Sequence, residues 1–372
     1  MRNVVGIIIN SPNQSDLGEL VNHRSIHTVP IGGKYRLIDF ALSNMVNSGI
    51  QNIGVIGSYL YRSLVDHLGS GEEWNLSEKS NDLAILHGGR NVKIGEITRI
   101  NLQDFIDNEA FFTKISKEVE SFVICGCNII YNFDLTEALD FHKKKDADIT
   151  MVFKRDYQGQ ILNKEVILQT EDGMVQEIIY SADKRSTDSN VFVDTLVIKK
   201  EILLDILENV KKTGSIDLID IIKDNLGALR VAGYYLNGYV KIINSIKSYF
   251  DCSMDMLNLD IQKELLHSDR KIYTKAKDNH PAKYNHNSEA RNSLVASGTN
   301  IKGHIENSII FREAKIEEGA KVKNCVIMQQ CIIGENSVIV NAILDKYVKI
   351  GSNKILVGTE KEPLIIKKDS IV

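Results

Sequence analysis

From Val4 to about residue 265, short continuous apolar runs alternate with amphipathic stretches. VVGIII (4–9) precedes LIDFALSNMVNSG (37–49), and NIGVIG (52–57) follows. In the middle stretch Ile38, Leu42 and Met45 recur at helical spacing and Gly49 supplies a stop. The flanking runs are Val/Ile-rich without alternation, as strands covered on both faces are. The order returns with SFVICG (121–126), the helix-like DLTEALDFHKKKDA and then DITMVF (148–153). Strand, helix, strand in repetition predicts an α/β domain over residues 1–266, doubly wound around a mostly parallel sheet.

Residues 267–292 turn polar and poor in aliphatics, with Pro281, His280 and His286 among Asn and Lys neighbours, and read as a linker with solvated histidines. Over 293–372 the rhythm becomes six. Ile332, Val338, Leu344, Ile350 and Leu356 fall on consecutive hexads, Ile310, Ile316 and Val322 form an earlier run, and Val295 and Ile301 start the series. One side chain per flat face of a triangular coil, about eighteen residues per coil, predicts a left-handed parallel β-helix. The jump of ten between Val322 and Ile332 predicts a loop or register break.

The chain has 372 residues, enough for two cores, and 45 basic against 49 acidic side chains with no Lys/Arg block, which argues against a nucleic-acid partner. No apolar run approaches the roughly 20 residues that cross a bilayer, and no signal-peptide pattern opens the chain, so a cytoplasmic protein without a membrane partner is expected. Cys125, Cys127, Cys252, Cys325 and Cys331 scatter as reduced thiols do; Cys125 and Cys127 lack the second pair that a closed zinc site needs.

The segment PIGGKYRLIDFALSNMVNSGIQNIGVIGSY (30–59) resembles the nucleotidyltransferase domain of the glucose-1-phosphate adenylyltransferase (ADP-glucose pyrophosphorylase) family. That family joins a Rossmann-like domain to a C-terminal left-handed β-helix, so the resemblance covers almost the whole chain. It implies the reaction of ATP with glucose 1-phosphate to ADP-glucose and pyrophosphate. Such chemistry needs a glycine-rich phosphate loop, cationic side chains and, in the catalytic members, Mg²⁺ held by two aspartates.

Here each of these departs from the family pattern. The loop reads NSPNQSDLGEL from Asn10, with only Gly18 left and with Asp16 and Glu19 where phosphate would be repelled. The family's R-A-K-P appears as Arg24, Ser25, Ile26, His27, which replaces the lysine by Ile26. CNIIYNFD sets Asn128 on the first metal aspartate, keeping Tyr131 and Asp134 in step, and GYYLNGYVKIINSIKSYFD sets Asn237 on the second. Amides keep the size of the carboxylates and lose their charge, so no metal and no cofactor is expected on this chain.

Losing these groups together predicts negligible intrinsic catalysis. The sequence is similar to the family's bacterial non-catalytic subunit type. That resemblance implies a regulatory chain paired with a catalytic subunit in a hetero-tetramer. Arg24, Arg36 and Lys34 fall on positions that line the family's regulatory anion pocket, which implies a phosphorylated effector; ordinary surface ion pairs are the alternative. Tyr131 and Lys184, the latter in IYSADKRS, are the candidates for substrate binding.

Two other readings stay open. A working nucleotidyltransferase would need rearranged ligands such as Asp134 or Asp251, and an acyltransferase on the β-helix would need His304 as a base. Trp74, in the polar SGEEWNLS, is either packed under a loop or available to a partner.

Overall fold

The computed structural model describes residues 3–10, 14–57, 60–77, 82–88, 98–115, 117–162, 165–183, 190–214 and 216–372. Nine strands form the N-terminal sheet: β1 (Val4–Ile9), β2 (Asn52–Gly57), β3 (Asp82–His87), β4 (Ser121–Gly126), β5 (Ile149–Lys154), β6 (Val166–Glu171), β7 (Met174–Tyr180), β8 (Val191–Lys199) and β9 (Val231–Tyr235). Their order is β3-β2-β1-β4-β8-β5-β9-β7-β6. The strands run the same way except β7 and β8, which are antiparallel to their neighbours, so the mostly parallel expectation holds with two reversed strands added.

Both faces of the sheet are buried, which is why its strands are continuous in hydrophobicity. Along β1, Val4 and Ile8 face one core while Val5, Ile7 and Ile9 face the other. Helix α1 (Leu37–Asn47) brings Ile38, Leu42 and Met45 to the first core; the Asp39 carboxylate accepts the Arg36 backbone N–H at 2.9 Å near the helix start, and Gly49 at φ 77° follows its end. Helix α2 (Leu135–Lys144) starts on Asp134, whose carboxylate accepts the Thr136 N–H at 3.0 Å, and ends on His142, Lys143 and Lys144, complementing its dipole. Helix α3 (Lys200–Thr213) covers the opposite face through Leu203, Ile206, Leu207 and Val210. Helix α4 (Ile246–Asp255) lies on the α1 side.

The second domain is a left-handed parallel β-helix whose columns mostly repeat at a shorter period than the hexads suggest. Register stacks Ile301 on Ile316, Ile333 and Ile350; Ile305 on Val322, Ile339 and Leu356; and Ile310 on Ile327, Leu344 and Ile366. Most coils repeat at 15 or 17 residues rather than eighteen, because one corner per coil is tighter than a full hexad, and the last, from Leu344 to Ile366, is longer at 22. Ile333 and Ile339 are therefore the inward residues, and Ile332 and Val338 point outward. Asn292, Asn307, Asn324 and Asn341 stand at one corner in the left-handed backbone region, which Asn tolerates, with amide hydrogen bonds joining Asn292 to Asn307 and Asn324 to Asn341.

No register break follows Val322, because Lys321–Ile327 is one strand that spans a corner and pairs along its whole length with Val338–Leu344. The solenoid also begins inside the stretch read as linker: Lys283–Tyr284 and Glu289–Arg291 pair with the next coil. Being the exposed end coil, they are polar, and that polarity imitates a linker. One side of the solenoid, through Ile309, Phe311, Val326, Met328 and Ile343, joins the α1-side core of the first domain.

Candidate functional site

In an open α/β sheet the ligand crevice lies outside the carboxyl ends of the strands, where the strand order reverses. Here that point is between β1 and β4, and the chain leaves β4 at Gly126, Cys127 and Asn128, with the Cys127 N–H on Ile9 O at 3.1 Å. Asn128 is 1% exposed. A short hairpin pairs Ile129–Ile130 with Lys241–Ile242 and so brings Ile243 across from Asn128. The Ile243 N–H donates to Asn128 O at 2.8 Å, and Asn128 Nδ2 donates to Ile243 O at 3.2 Å. Asn237 is exposed on the turn after β9, whereas Asn128 is buried against Ile243.

Around Asn128 the crevice is filled by charged side chains that sequence spacing does not connect. A Cβ on Gly126 would lie 2.8 Å from Asp194 Cβ and 3.0 Å from Asn128 Oδ1, so only glycine fits between them. Arg99 Nε is 2.5 Å from Asp194 Oδ1 and Arg99 Nη2 is 2.6 Å from Glu165 Oε2. Asn244 Nδ2 donates to Glu165 Oε1 at 2.9 Å, and the Arg99 backbone N–H donates to Asp217 Oδ2 at 2.5 Å. All five residues are buried. Burial raises the Asp194 carboxyl to about 6, opposed by the Arg99 guanidinium and reinforced by Glu165, while the carboxylates hold Arg99 firmly protonated.

These residues do not fit a magnesium ion. The amide at 128 turns its NH₂ to a backbone carbonyl, its partner across the hairpin is an isoleucine, and a guanidinium already faces the nearby carboxylates. Ile26 is fully buried in the α1-side core, where a lysine's charge would have no partner. Ser11, Pro12 and Asn13 of the degenerate loop lie outside the described residues, as does Lys184. Tyr131 is a core residue: its hydroxyl pairs with Thr195 Oγ1 at 3.0 Å, away from any ligand space. Asp134 caps α2 and pairs with Arg270 at 3.1 Å, and Asp251 pairs with Lys247, so both proposed replacement ligands are engaged elsewhere.

A second site lies between the domains. A cleft of about 460 Å³ is lined by the cations Lys34, Arg36, Lys275, Lys277, Arg312 and Lys346, against the acids Asp66 and Glu313. Arg36 Nη1 donates to Ser63 O at 2.9 Å; burial and the neighbouring Arg24 and Arg312 work against its charge, while Asp39 and Asp66 support it. Burial beside Arg36 and Arg24 brings Lys346 down to about 7. Glu313 is held below its usual range by hydrogen bonds from Gln330 and Asn279. The three arginine and lysine candidates divide: Lys34 and Arg36 line this cleft, whereas Arg24 lies behind it, 5% exposed, gripping Asp345 through Nη2 at 2.7 and 2.9 Å.

Trp74 is buried edge-on against His67, whose Nε2 is 2.5 Å from Asp39 Oδ1. His304 is exposed beside Glu289 at 3.7 Å. All five cysteines are buried and outside any disulfide, and among the described residues no group of three or more His, Cys, Asp or Glu could hold a metal ion. No helix among them is long and apolar enough to cross a membrane.

Comparison with known proteins agrees with this architecture: residues 15–222 match the nucleotidyl transferase family, and residues 276–363 match the GlmU-like C-terminal hexapeptide family. The class is thus a nucleotidyl transferase domain carried on a hexapeptide solenoid. The chain is 32% identical to glycogen biosynthesis protein GlgD of Bacillus subtilis over 98% of its own length and 96% of that protein. It is 35% identical to GlgD of Geobacillus stearothermophilus over 99% and 97%. Against glucose-1-phosphate adenylyltransferase of Clostridium perfringens the identity is 30%, over 87% and 82%. The chain belongs to the glucose-1-phosphate adenylyltransferase family of nucleotidyl transferases.

Proposed function

We propose that this protein acts in glycogen biosynthesis as a non-catalytic, regulatory subunit that pairs with a catalytic glucose-1-phosphate adenylyltransferase chain in a mixed tetramer in the cytoplasm. The observation that carries this reading is the crevice at Asn128, where an amide bonded to Ile243 and a buried guanidinium stand in place of an anionic cage. Phosphoryl-transfer catalysis is almost entirely positioning and charge stabilisation, so a crevice without metal ligands retains little of it. The similarity to two proteins named GlgD over nearly their full lengths supports the pathway.

Regulation would enter through the interdomain cleft. Six cations against two acids favour a phosphorylated small molecule, with Arg36 and Arg312 offering guanidinium forks. The test is ADP-glucose formation by this chain alone, by a catalytic subunit alone and by their mixture, with and without phosphorylated metabolites. We expect no product from this chain alone and an altered rate or effector response in the mixture. Equal rates with and without it remove the regulatory reading, and Mg²⁺-dependent turnover by the lone chain replaces it with an active enzyme.

A further inference from the structure

We propose that Arg99 is the resident cation of the crevice, its guanidinium balancing Asp194 and Glu165 in the place that a divalent ion takes when such carboxylates are left to face one another. The inference rests on the reading that the crevice is not a magnesium site, and it adds what keeps it so.

Three features set this triad apart from an incidental core ion pair. The first is its position. β8 runs antiparallel beside β4 with Thr195 opposite Cys125, which places Asp194 beside Gly126 at the mouth of the switch point, next to Asn128. The second is the backbone that aims it. Register between β8 and β5 slips between Phe192 and Thr195, and Asp194 sits in that bulge at φ 47°, in the left-handed region that Asp, like Asn, enters more readily than other side chains. Without the bulge the strand's alternation would place this side chain differently.

The third is how Arg99 is delivered. Its own N–H and that of Ile100 reach Asp217, whose carboxylate also accepts the Ile219 N–H, and Leu218 N–H donates to Ile100 O. The strap carrying Arg99 is therefore pinned to a rigid helix start, and the guanidinium has little freedom to swing out. Among the described residues, the buried Oδ1 of Asn128 and Oδ1 of Asn244 accept no hydrogen bond. One guanidinium held between two buried carboxylates occupies an oxygen-lined cation site, and hard divalent ions choose such donors.

The test uses the full-length chain and Mn²⁺ alone as the probe. Wild type should leave the electron paramagnetic resonance signal of about 1 mM Mn²⁺ that of the free ion, and Mn²⁺ should not move its melting temperature. Arg99→Met should melt lower, take up Mn²⁺ with loss of the free-ion signal, and regain about 3–4 °C once Mn²⁺ exceeds Kd about 100-fold. Adding Asp194→Asn to Arg99→Met should abolish both responses. Should Arg99→Met not fold alone, Mn²⁺ present during refolding should recover soluble protein. Mn²⁺ uptake by wild type, or a folded Arg99→Met that ignores Mn²⁺, or no recovery by Mn²⁺ on refolding, overturns the proposal. None of these readouts depends on a catalytic partner, so failure of the regulatory reading would be seen separately in the mixing assay.

Discussion

Asp345→Ala should be among the most damaging single substitutions in this chain, although it lies far from the crevice. The carboxylate is 1% exposed, and both of its oxygens face Arg24 Nη2, at 2.7 and 2.9 Å; Oδ1 also accepts the Lys346 N–H at 2.7 Å. After its removal the guanidinium keeps, among the described residues, Leu20 O at 3.5 Å and a Met328 Sδ contact at 3.9 Å. Breaking a buried pair by deleting one partner costs about 3–5 kcal/mol, because the surviving charge is left dry and uncompensated. With an unfolding entropy of about 2.1 cal/mol/K per residue, that is a fall in Tm of about 4–6 °C if the chain melts as one unit.

Arg24→Met with Asp345→Leu should cost much less than the two single changes summed, since an apolar pair of similar volume removes the desolvation problem. Urea denaturation of the four proteins, followed by circular dichroism, measures the cycle. A single-mutant cost below about 1 kcal/mol, or a double mutant as unstable as the sum, would refute the reasoning.

Ile333→Ala should cost about 2–5 kcal/mol and Ile332→Ala well under half of that, because only the former sits in a solenoid column; denaturant midpoints of the pair check the assignment. His27 is fully buried, its Nδ1 2.9 Å from Ser25 Oγ, and burial lowers it to about 3 from an ordinary 6.5. Between those values the unfolded chain binds the extra proton, so stability falls on acidification, and His27→Gln should reduce the slope of stability against pH by up to about 1.4 kcal/mol per unit. Lys346, near 7, gives the cleft a charge below that pH and loses it above. Calorimetric binding of inorganic sulfate, whose charge is constant over this range, should therefore weaken from about pH 6 to about pH 8, and Lys346→Met should flatten the profile.

What the sequence disclosed follows from which interactions are local. α1 and the strands beside it were legible because each buries a periodic pattern of its own residues, and Asn128 was found because the strand before it has an unmistakable end. The reversed strand β8 was not legible: its continuous apolar run looks the same in either direction, and its bulge at Asp194 has no sequence signal. The hexads revealed a solenoid but set Ile332 and Val338 on the wrong face, since neighbouring isoleucines at 332 and 333 satisfy a six-residue count equally well. Asn237 lies on an exposed turn, and the residue that faces Asn128 is Ile243, further along the same segment. Arg99, Glu165 and Asp194 come from three separate segments, and nothing short of the folded topology brings them together. Arg24 was read as lining an anion pocket, and its buried carboxylate partner was not legible because it lies 321 positions away.

The stacked coils give the interdomain clamp an unexpected function as a ruler. Each storey of the solenoid adds one strand spacing, about 4.8 Å, along its axis. Asp345 stands at a height fixed by how many storeys precede it, and Arg24 is anchored to the other domain at a matching height. Excising one whole 17-residue storey would leave every column in step and still carry Asp345 beyond the reach of its guanidinium. Column packing alone tolerates a taller or shorter tower; the buried handshake at residues 24 and 345, together with the core shared beside it, fixes the storey count.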